Sequence, residues 1–420
     1  MSSKRPGVGE PWRLVAAASA ARVFSALMAL LTAALTARYL GAAGRGSLVA
    51  ATGWVTMFAT LGHLSLGQVA LFLATGRTND RWLPPVAGTL LLMVAGLSLL
   101  GLATAGALFW ASSGTLFAHV PPASLLLAFL ALPALLWIEH GGRVLMAAGA
   151  LNALTIGQVA AAAATPILTV LAVAVLDLGR EGAVAAFTAS QALLAALVAI
   201  RVGQRAGHLV FDRQVGRALL AGGLKLHANA VGVALSMQTT TLIVNHFGTS
   251  EETAWFQLAT QVVTVLHLVP TAAASVTYAH VARDGPDGAW PQQRSLLAGS
   301  LLVMVAVATI LAIAAPSLVP AIFGSDFRPA VAVMRILLLS VVGLTVSQVM
   351  ASQWIGRGLF VQASLVTLST GVVSLLITYL VVPRYGIAGA AWVSVATSTI
   401  GIVVNGIMAL RIQRRTERVA

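Results

Sequence analysis

Acidic charge is nearly missing from this chain: 12 Asp and Glu stand among 420 residues, and charged residues of both signs make up only 9%. A soluble domain carries about a quarter charged residues. The chain therefore lacks the polar surface needed to cover a globule in water. Cysteine is wholly absent, which excludes disulfides, thiolate metal sites and cysteine nucleophiles, and leaves the compartment unread by redox logic. No G-x-x-x-x-G-K-[ST], H-E-x-x-H or G-x-S-x-G pattern occurs, so the common nucleotide, zinc-protease and serine-hydrolase arrangements have no anchor. No cofactor and no metal are expected. Loops between the apolar runs are short, whereas polytopic enzymes that polymerise or ligate lipid-linked glycans usually expose a sizeable outward loop. An enzyme is not expected.

What the chain does have is apolar length. Hydrophobic residues make up 58% of it, and the mean hydropathy is +0.91. Leu83–Ala118 and Leu296–Ser325 contain no charge at all. Roughly 20 apolar residues cross a bilayer, so these runs are of membrane length. The N-terminus, with Lys4, Arg5 and Arg13 ahead of an apolar run that ends at Arg38, has the outline of a signal peptide. It shows no convincing cleavage site and reads as a retained first helix.

Punctuation by Gly, Pro and charge predicts an all-α polytopic membrane protein of about twelve helices. They fall near 15–38, 47–73, 84–110, 122–148, 152–176, 182–202, 217–247, 254–281, 295–318, 329–353, 361–382 and 386–410. The expected organisation is a cytoplasmic N-terminus (1–14), a six-helix lobe (15–202), a linker (203–216), a second six-helix lobe (217–410) and a basic tail (411–420).

The net charge of +13 is scattered in short clusters between spans, with no contiguous basic stripe. No nucleic-acid partner is expected. With the N-terminus inside, sixteen basic residues fall on the cytoplasmic side: Lys4, Arg5, Arg13, Arg77, Arg81, Arg201, Arg205, Arg213, Arg217, Arg283, Arg294, Arg357, Arg411, Arg414, Arg415 and Arg418. Five fall opposite, at Arg38, Arg45, Arg180, Arg328 and Arg384. This is the positive-inside bias, and it supports an even number of spans with both termini cytoplasmic.

The junction Arg38–Ala50 (R-Y-L-G-A-A-G-R-G-S-L-V-A) joins spans one and two, and Asn245–Ala259 (N-H-F-G-T-S-E-E-T-A-W-F-Q-L-A) similarly joins spans seven and eight. A weaker echo links Gly149–Gly157 to Gly356–Gln362. The offset is six helices each time, so the halves would relate by a pseudo-two-fold axis along the membrane normal. At these residues the chain resembles the polysaccharide (oligosaccharide) flippases of the multidrug/oligosaccharidyl-lipid/polysaccharide exporter superfamily. The "R-x-L-G-x-x-x-x-G" turn after the first helix is one point of likeness. Val382–Trp392 (V-P-R-Y-G-I-A-G-A-A-W) is a stronger one, matching that family's "P-r-[YF]-G-i-x-G-A-A", and the Gly356-Arg-Gly358 turn fits as well. Twelve spans argue against the lipid II flippase branch, which usually has fourteen. The resemblance implies a polyprenyl-diphosphate-linked oligosaccharide as substrate, moved outward across a bacterial plasma membrane, with membrane lipids and glycan-assembly proteins as partners.

Charges inside a membrane need a partner, water or a function, because each costs at least about 2.5–3.5 kcal/mol at the bilayer centre. Arg22, Arg143, Lys225 and Arg335 fall within spans against one acid, Glu139. Arg22 and Arg335 are placed where they can either snorkel or line a cavity. Lys225 shares a helical face with Asn229, Gly232 and Ser236 and reads as cavity-lining. Glu139 and Arg143 are spaced to pair, while Glu139 and the adjacent His140 are the candidates for proton coupling. Span eight carries a polar stripe of Gln257, Gln261, Thr264, Thr271 and Ser275, and span seven adds His227, Gln238, Thr241 and Asn245. Hydroxyls and amides can simply join helices, but two long stripes favour a hydrated cavity. His63, Gln68 and His267 read as packed, hydrogen-bonded groups. The expected substrate-binding set is Arg22, Lys225, Arg335, Asn229, Gln257 and Gln261. An excess of positive charge suits a lipid diphosphate, since guanidinium and ammonium groups replace the hydration it loses. It suits a cationic drug badly. The alternatives are a cation-coupled multidrug exporter of the same superfamily and a membrane-bound glycan polymerase or ligase.

Overall fold

The computed structural model describes residues 10–74, 80–112, 115–117 and 119–419. Lys4, Arg5 and Arg77 of the charge tally lie outside the described residues, as do the side chains of Arg13, Arg415 and Arg418. No strand occurs among the described residues. The helices are α1 (Glu10–Gly62), α2 (Leu66–Ala74), α3 (Leu83–Ala111), α4 (Pro122–Phe129), α5 (Leu132–Ala147), α6 (Leu151–Thr169) and α7 (Gly179–Ala206). They continue as α8 (Arg213–Met237), α9 (Thr239–Phe247), α10 (Ser250–Leu266), α11 (Leu268–Gly288), α12 (Trp290–Phe323), α13 (Ala330–Gly356) and α14 (Phe360–Val419).

Nine helices among the described residues are long and apolar enough to cross a membrane. Two of these, Ala20–Gly62 with 43 residues and Val361–Arg414 with 54, are of double length. At 1.5 Å per residue they would run to about 65 and 80 Å, against a hydrocarbon core of roughly 30 Å. Each is broken by a glycine in the left-handed region, Gly41 (φ 64°, ψ −175°) and Gly386 (φ 55°, ψ −148°). Both glycines follow an Arg-Tyr pair (Arg38-Tyr39-Leu40 and Arg384-Tyr385), so the two junctions that carry the family likeness are the two helix breaks. Taking both doubles as pairs gives eleven membrane-length segments among the described residues, and α8 with α9, interrupted at Gln238, occupies the stretch expected for the seventh span. The chain is an all-α, multi-pass membrane protein.

Its outer faces are lipid-adapted. Leu302, Ile310 and Ile313 of α12 are 74%, 63% and 73% exposed, and that helix has the highest mean hydropathy of the nine, 2.7. Such a face would be an aggregation surface in water.

The chain divides into two compact units. Unit 1 holds residues up to Leu40 together with Ala51–Ala230; unit 2 holds Gly41–Ala50 and Val231–Ala420. In unit 1, α5 is the inner helix, packed by α2, α3 and α7, with α4 and α6 also on α7. In unit 2, α13 takes that place, surrounded by α10, α11, α12 and α14. These are the fourth and tenth spans, six apart, so each unit is built around the corresponding helix of its half. The first part of α8 packs within unit 1. Gly222 lies against the Val69 side chain, and a Cβ on Gly223 would stand 2.4 Å from the Leu64 carbonyl oxygen.

Candidate functional site

Each unit buries its own polar cluster, and neither cluster is the set expected from the sequence.

In unit 1 the chain breaks after α1 at His63–Leu64–Ser65, where Leu64 and Ser65 adopt positive φ of 47° and 55°. A break of this kind frees backbone groups that lipid cannot satisfy. Three histidines from three elements satisfy them. His63 Nδ1 accepts from the Ser65 N–H at 2.9 Å. His140 Nδ1, from α5, accepts from the Gly67 N–H at 3.1 Å. His227, from α8, sets Nε2 at 2.9 Å from the Leu61 carbonyl oxygen and Nδ1 at 3.4 Å from Ser65 Oγ. The His63 ring lies edge-to-face with both others, at centroid distances of 6.2 Å to His140 and 5.3 Å to His227. His63 is thus packed and hydrogen-bonded, as the sequence suggested for a membrane histidine. That His63, His140 and His227 meet was not legible, because they lie 77 and 87 residues apart along the chain. Among the described residues no group of His, Asp and Glu has metal-binding geometry.

Beside this cluster, Arg143 Nε and Nη2 both reach Glu139 Oε1 at 3.1 Å. The two side chains are 35% and 38% exposed. The i, i+4 pair expected from spacing forms, so the acid expected inside span four is matched by a cation on its own helix.

In unit 2 the sequence missed the principal residue. Arg45 was counted among the headgroup-level arginines, yet it is 2% exposed. The helix resumes directly after Gly41, so position 45 is a turn inside the packed bundle. Arg45 Nη2 donates to Gln261 Oε1 at 3.2 Å, and its guanidinium lies 6.0 and 5.7 Å from the ring centroids of Phe323 and Phe327. That is cation–π range. Gln257 Oε1 accepts from Thr241 Oγ1 at 3.3 Å, and Asn245 Oδ1 from Thr253 Oγ1 at 3.4 Å. The two glutamines expected to bind substrate therefore have their carboxamide oxygens engaged inside the unit. The hydroxyls of the same stripe are turned onto their own helix: Thr264, Thr271 and Ser275 donate to the carbonyls of Thr260, His267 and Ala272. Hydroxyl back-bonding of this kind is the ordinary fate of Ser and Thr in a helix.

Neither cluster includes Arg22, Lys225 or Arg335. Arg22 and Lys225 are exposed in unit 1, and Arg335 is exposed in unit 2. Arg335 Nε donates to the Ala312 carbonyl at 2.8 Å, fastening α13 to α12. Asn229 lies on α8, with its side chain outside the described residues.

Known proteins supply the context for this arrangement. A family model described as polysaccharide biosynthesis protein matches residues 150–332. Among solved structures, the lipid II flippase MurJ in an inward closed conformation superposes with TM-score 0.78 at 13% identity, over 94% of this chain and 89% of that one. An inward-facing multidrug resistance MATE family transporter of the MOP superfamily gives 0.73 at 16% identity, over 92% and 96%. A MOP superfamily transporter from Pyrococcus furiosus Vc1, whose binding pocket is described as reversed in polarity, gives 0.63 at 14%, over 98% and 100%. No curated protein matches the chain. The fold is that of these transporters.

Proposed function

We propose that the chain is a flippase-type transporter that moves a polyprenyl-diphosphate-linked oligosaccharide outward across a bacterial plasma membrane by alternating access through a cationic cavity, a reading supported by the family match and by the likeness in fold to MATE and MurJ structures. The observation that carries this reading is the match of residues 150–332 to a polysaccharide-biosynthesis family within a fold whose in-span charge is mostly basic. The glycan head and diphosphate ride past Arg22, Lys225 and Arg335, with Asn229, Gln257 and Gln261 offering amide groups to the sugar, while the polyprenyl tail stays in lipid. Glycan-assembly proteins are the natural partners of such a step. The drug-exporter reading is weaker, since an excess of positive charge suits a cationic drug badly and Glu139 is the one acid expected inside a span.

The test is complementation of a flippase-deficient strain. The Arg22→Ala, Lys225→Ala, Arg335→Ala triple variant is expected to insert normally yet lose most glycan export, as three charge-assisted contacts to a diphosphate are removed. Full export by the triple variant refutes the cationic cavity.

Proton coupling through Glu139 and His140 is a separate part of the proposal. Glu139→Gln is expected to slow export and to abolish its acceleration by an imposed proton gradient, measured in reconstituted vesicles. An unchanged rate with unchanged gradient dependence removes Glu139 from the coupling mechanism.

A further inference from the structure

Unit 2 contains a cavity of about 600 Å³ away from the Arg45 cluster. It is lined by Trp354, Arg357 and Leu359 at the end of α13 and just beyond it, and by Ile407, Met408 and Arg411 on α14. The lining combines apolar side chains with two arginines, Arg357 and Arg411. Ile407 and Arg411 are four residues apart and Met408 and Arg411 three, so the guanidinium stands over the same face that presents the apolar side chains.

The two arginines are not spent on each other's neighbourhood. Arg357 Nη2 pairs with the Asp287 carboxylate, but its Nε is buried with no hydrogen-bond partner, and its side chain is only 13% exposed. A buried, unpartnered donor on a charged group is costly unless something else fills its site. Arg411 is exposed. With Asp287 counted, the two arginines carry one net positive charge. The floor is rigid: Trp354 Nε1 donates to Asn405 Oδ1 at 2.8 Å, and Gln353 Nε2 donates to the Pro286 carbonyl at 2.9 Å and to Gln293 Oε1 at 2.6 Å.

Location selects the ligand. The membrane-length segment Ala330–Gly356 ends one residue before Arg357, and Val361–Arg414 ends three residues after Arg411. The cavity therefore lies where two membrane-length segments end, the place at which headgroups meet a spanning helix. The geometry points to a binding site for an anionic phospholipid of the surrounding leaflet. Its phosphodiester sits between Arg357 Nε and Arg411, and the start of an acyl chain lies along Leu359, Ile407 and Met408. A single phosphodiester negative charge balances that positive charge, and the apolar wall gives no purchase to a free anion. Basic recesses between spans on the positive side of a membrane protein are suited to such headgroups. The site does not depend on what the protein transports.

The test uses the purified full chain, delipidated in a neutral detergent, with melting temperature followed during titration. The probes are short-chain phosphatidylglycerol, phosphatidylcholine of the same chain length, and inorganic phosphate. Phosphatidylglycerol is expected to raise the melting temperature saturably, with the other two far weaker. Arg411→Gln is expected to weaken the apparent affinity roughly five- to tenfold, since each basic residue near such a headgroup is worth about 1 kcal/mol. Arg411→Lys, which keeps the charge, restores most of it. Equal responses to phosphatidylglycerol and phosphatidylcholine, protection by inorganic phosphate alone, or an unchanged affinity in Arg411→Gln would each overturn the assignment. Size-exclusion profiles matching the wild type establish that the variants are folded.

Discussion

Gly46→Ala is expected to leave little folded protein, with a loss on the order of 3 kcal/mol or more. An ideal Cβ at this position would stand 1.7 Å from the Ser250 carbonyl oxygen, 2.4 Å from its carbonyl carbon and 2.9 Å from its Cα. All three are backbone atoms, so no rotamer change relieves the clash. Ser250 cannot yield cheaply either. It opens α10 inside a capping box in which the Glu252 N–H donates to Thr249 Oγ1 at 3.2 Å and the Thr249 N–H donates to Glu252 Oε2 at 3.0 Å. Moving the two segments apart would also separate Ser47 Oγ from Ser250 Oγ, now 3.4 Å apart, and pull Arg45 from Gln261. Arg45 would then be a buried charge with less compensation. The appropriate control is Gly96→Ala in α3, where a Cβ meets nothing within 4 Å. There the better helix propensity of alanine is worth about 0.5–1 kcal/mol in the stabilising direction. Fluorescence-detected size exclusion after a heat ramp reads both variants. Equal melting of Gly46→Ala and wild type would show that the close approach is not obligatory.

His140→Ala is expected to cost about 3 kcal/mol, seen as a clear drop in melting temperature in detergent. His140 is fully buried, and its Nδ1 holds the Gly67 N–H at the start of α2. Losing the acceptor strands a buried donor, worth about 1–3 kcal/mol by itself, in a setting where lipid offers no replacement. The void left by the ring adds to this. A Cβ at Gly67 would lie 3.1 Å from His140 Cα and 3.0 Å from Arg143 Cγ, so α2 and α5 are already in near-backbone contact. His140→Gln, whose carboxamide oxygen can accept the same hydrogen bond, is expected to recover part of the loss. This pair of variants separates two roles for the residue. The lone pair on Nδ1 that a second proton would occupy is the one used by Gly67. Protonation at His140 would therefore set two donors against each other and loosen the break between α1 and α2. A purely proton-binding histidine would leave stability unchanged in the alanine variant; a capping histidine would not.

Fold class was legible in the sequence because membrane insertion is written residue by residue. Apolar runs of span length and glycine-marked junctions follow from local composition. The positive φ at Gly41 and Gly386 falls within the motifs that carried the family likeness, since only glycine adopts that conformation without strain. The Glu139–Arg143 pair was legible for the same reason, being set by the pitch of one helix.

Packing decided the rest. Nothing in Arg45 or its neighbours along the chain says that it is buried over Phe323 and Phe327, some 280 residues away. Nothing in His63, His140 and His227 says that three helices deliver them to one backbone break. Gln257 and Gln261 lie on the expected stripe, but which groups their oxygens meet is fixed by α9 and by the segment around Arg45. The sequence by itself determined that this protein lives in a bilayer, where it crosses, and where its helices break, because those depend on transfer free energies and backbone conformations that act locally. Only the tertiary structure decided which polar groups pay their desolvation cost against each other and which stay open to a ligand, because that depends on helix–helix contacts between residues far apart in the chain.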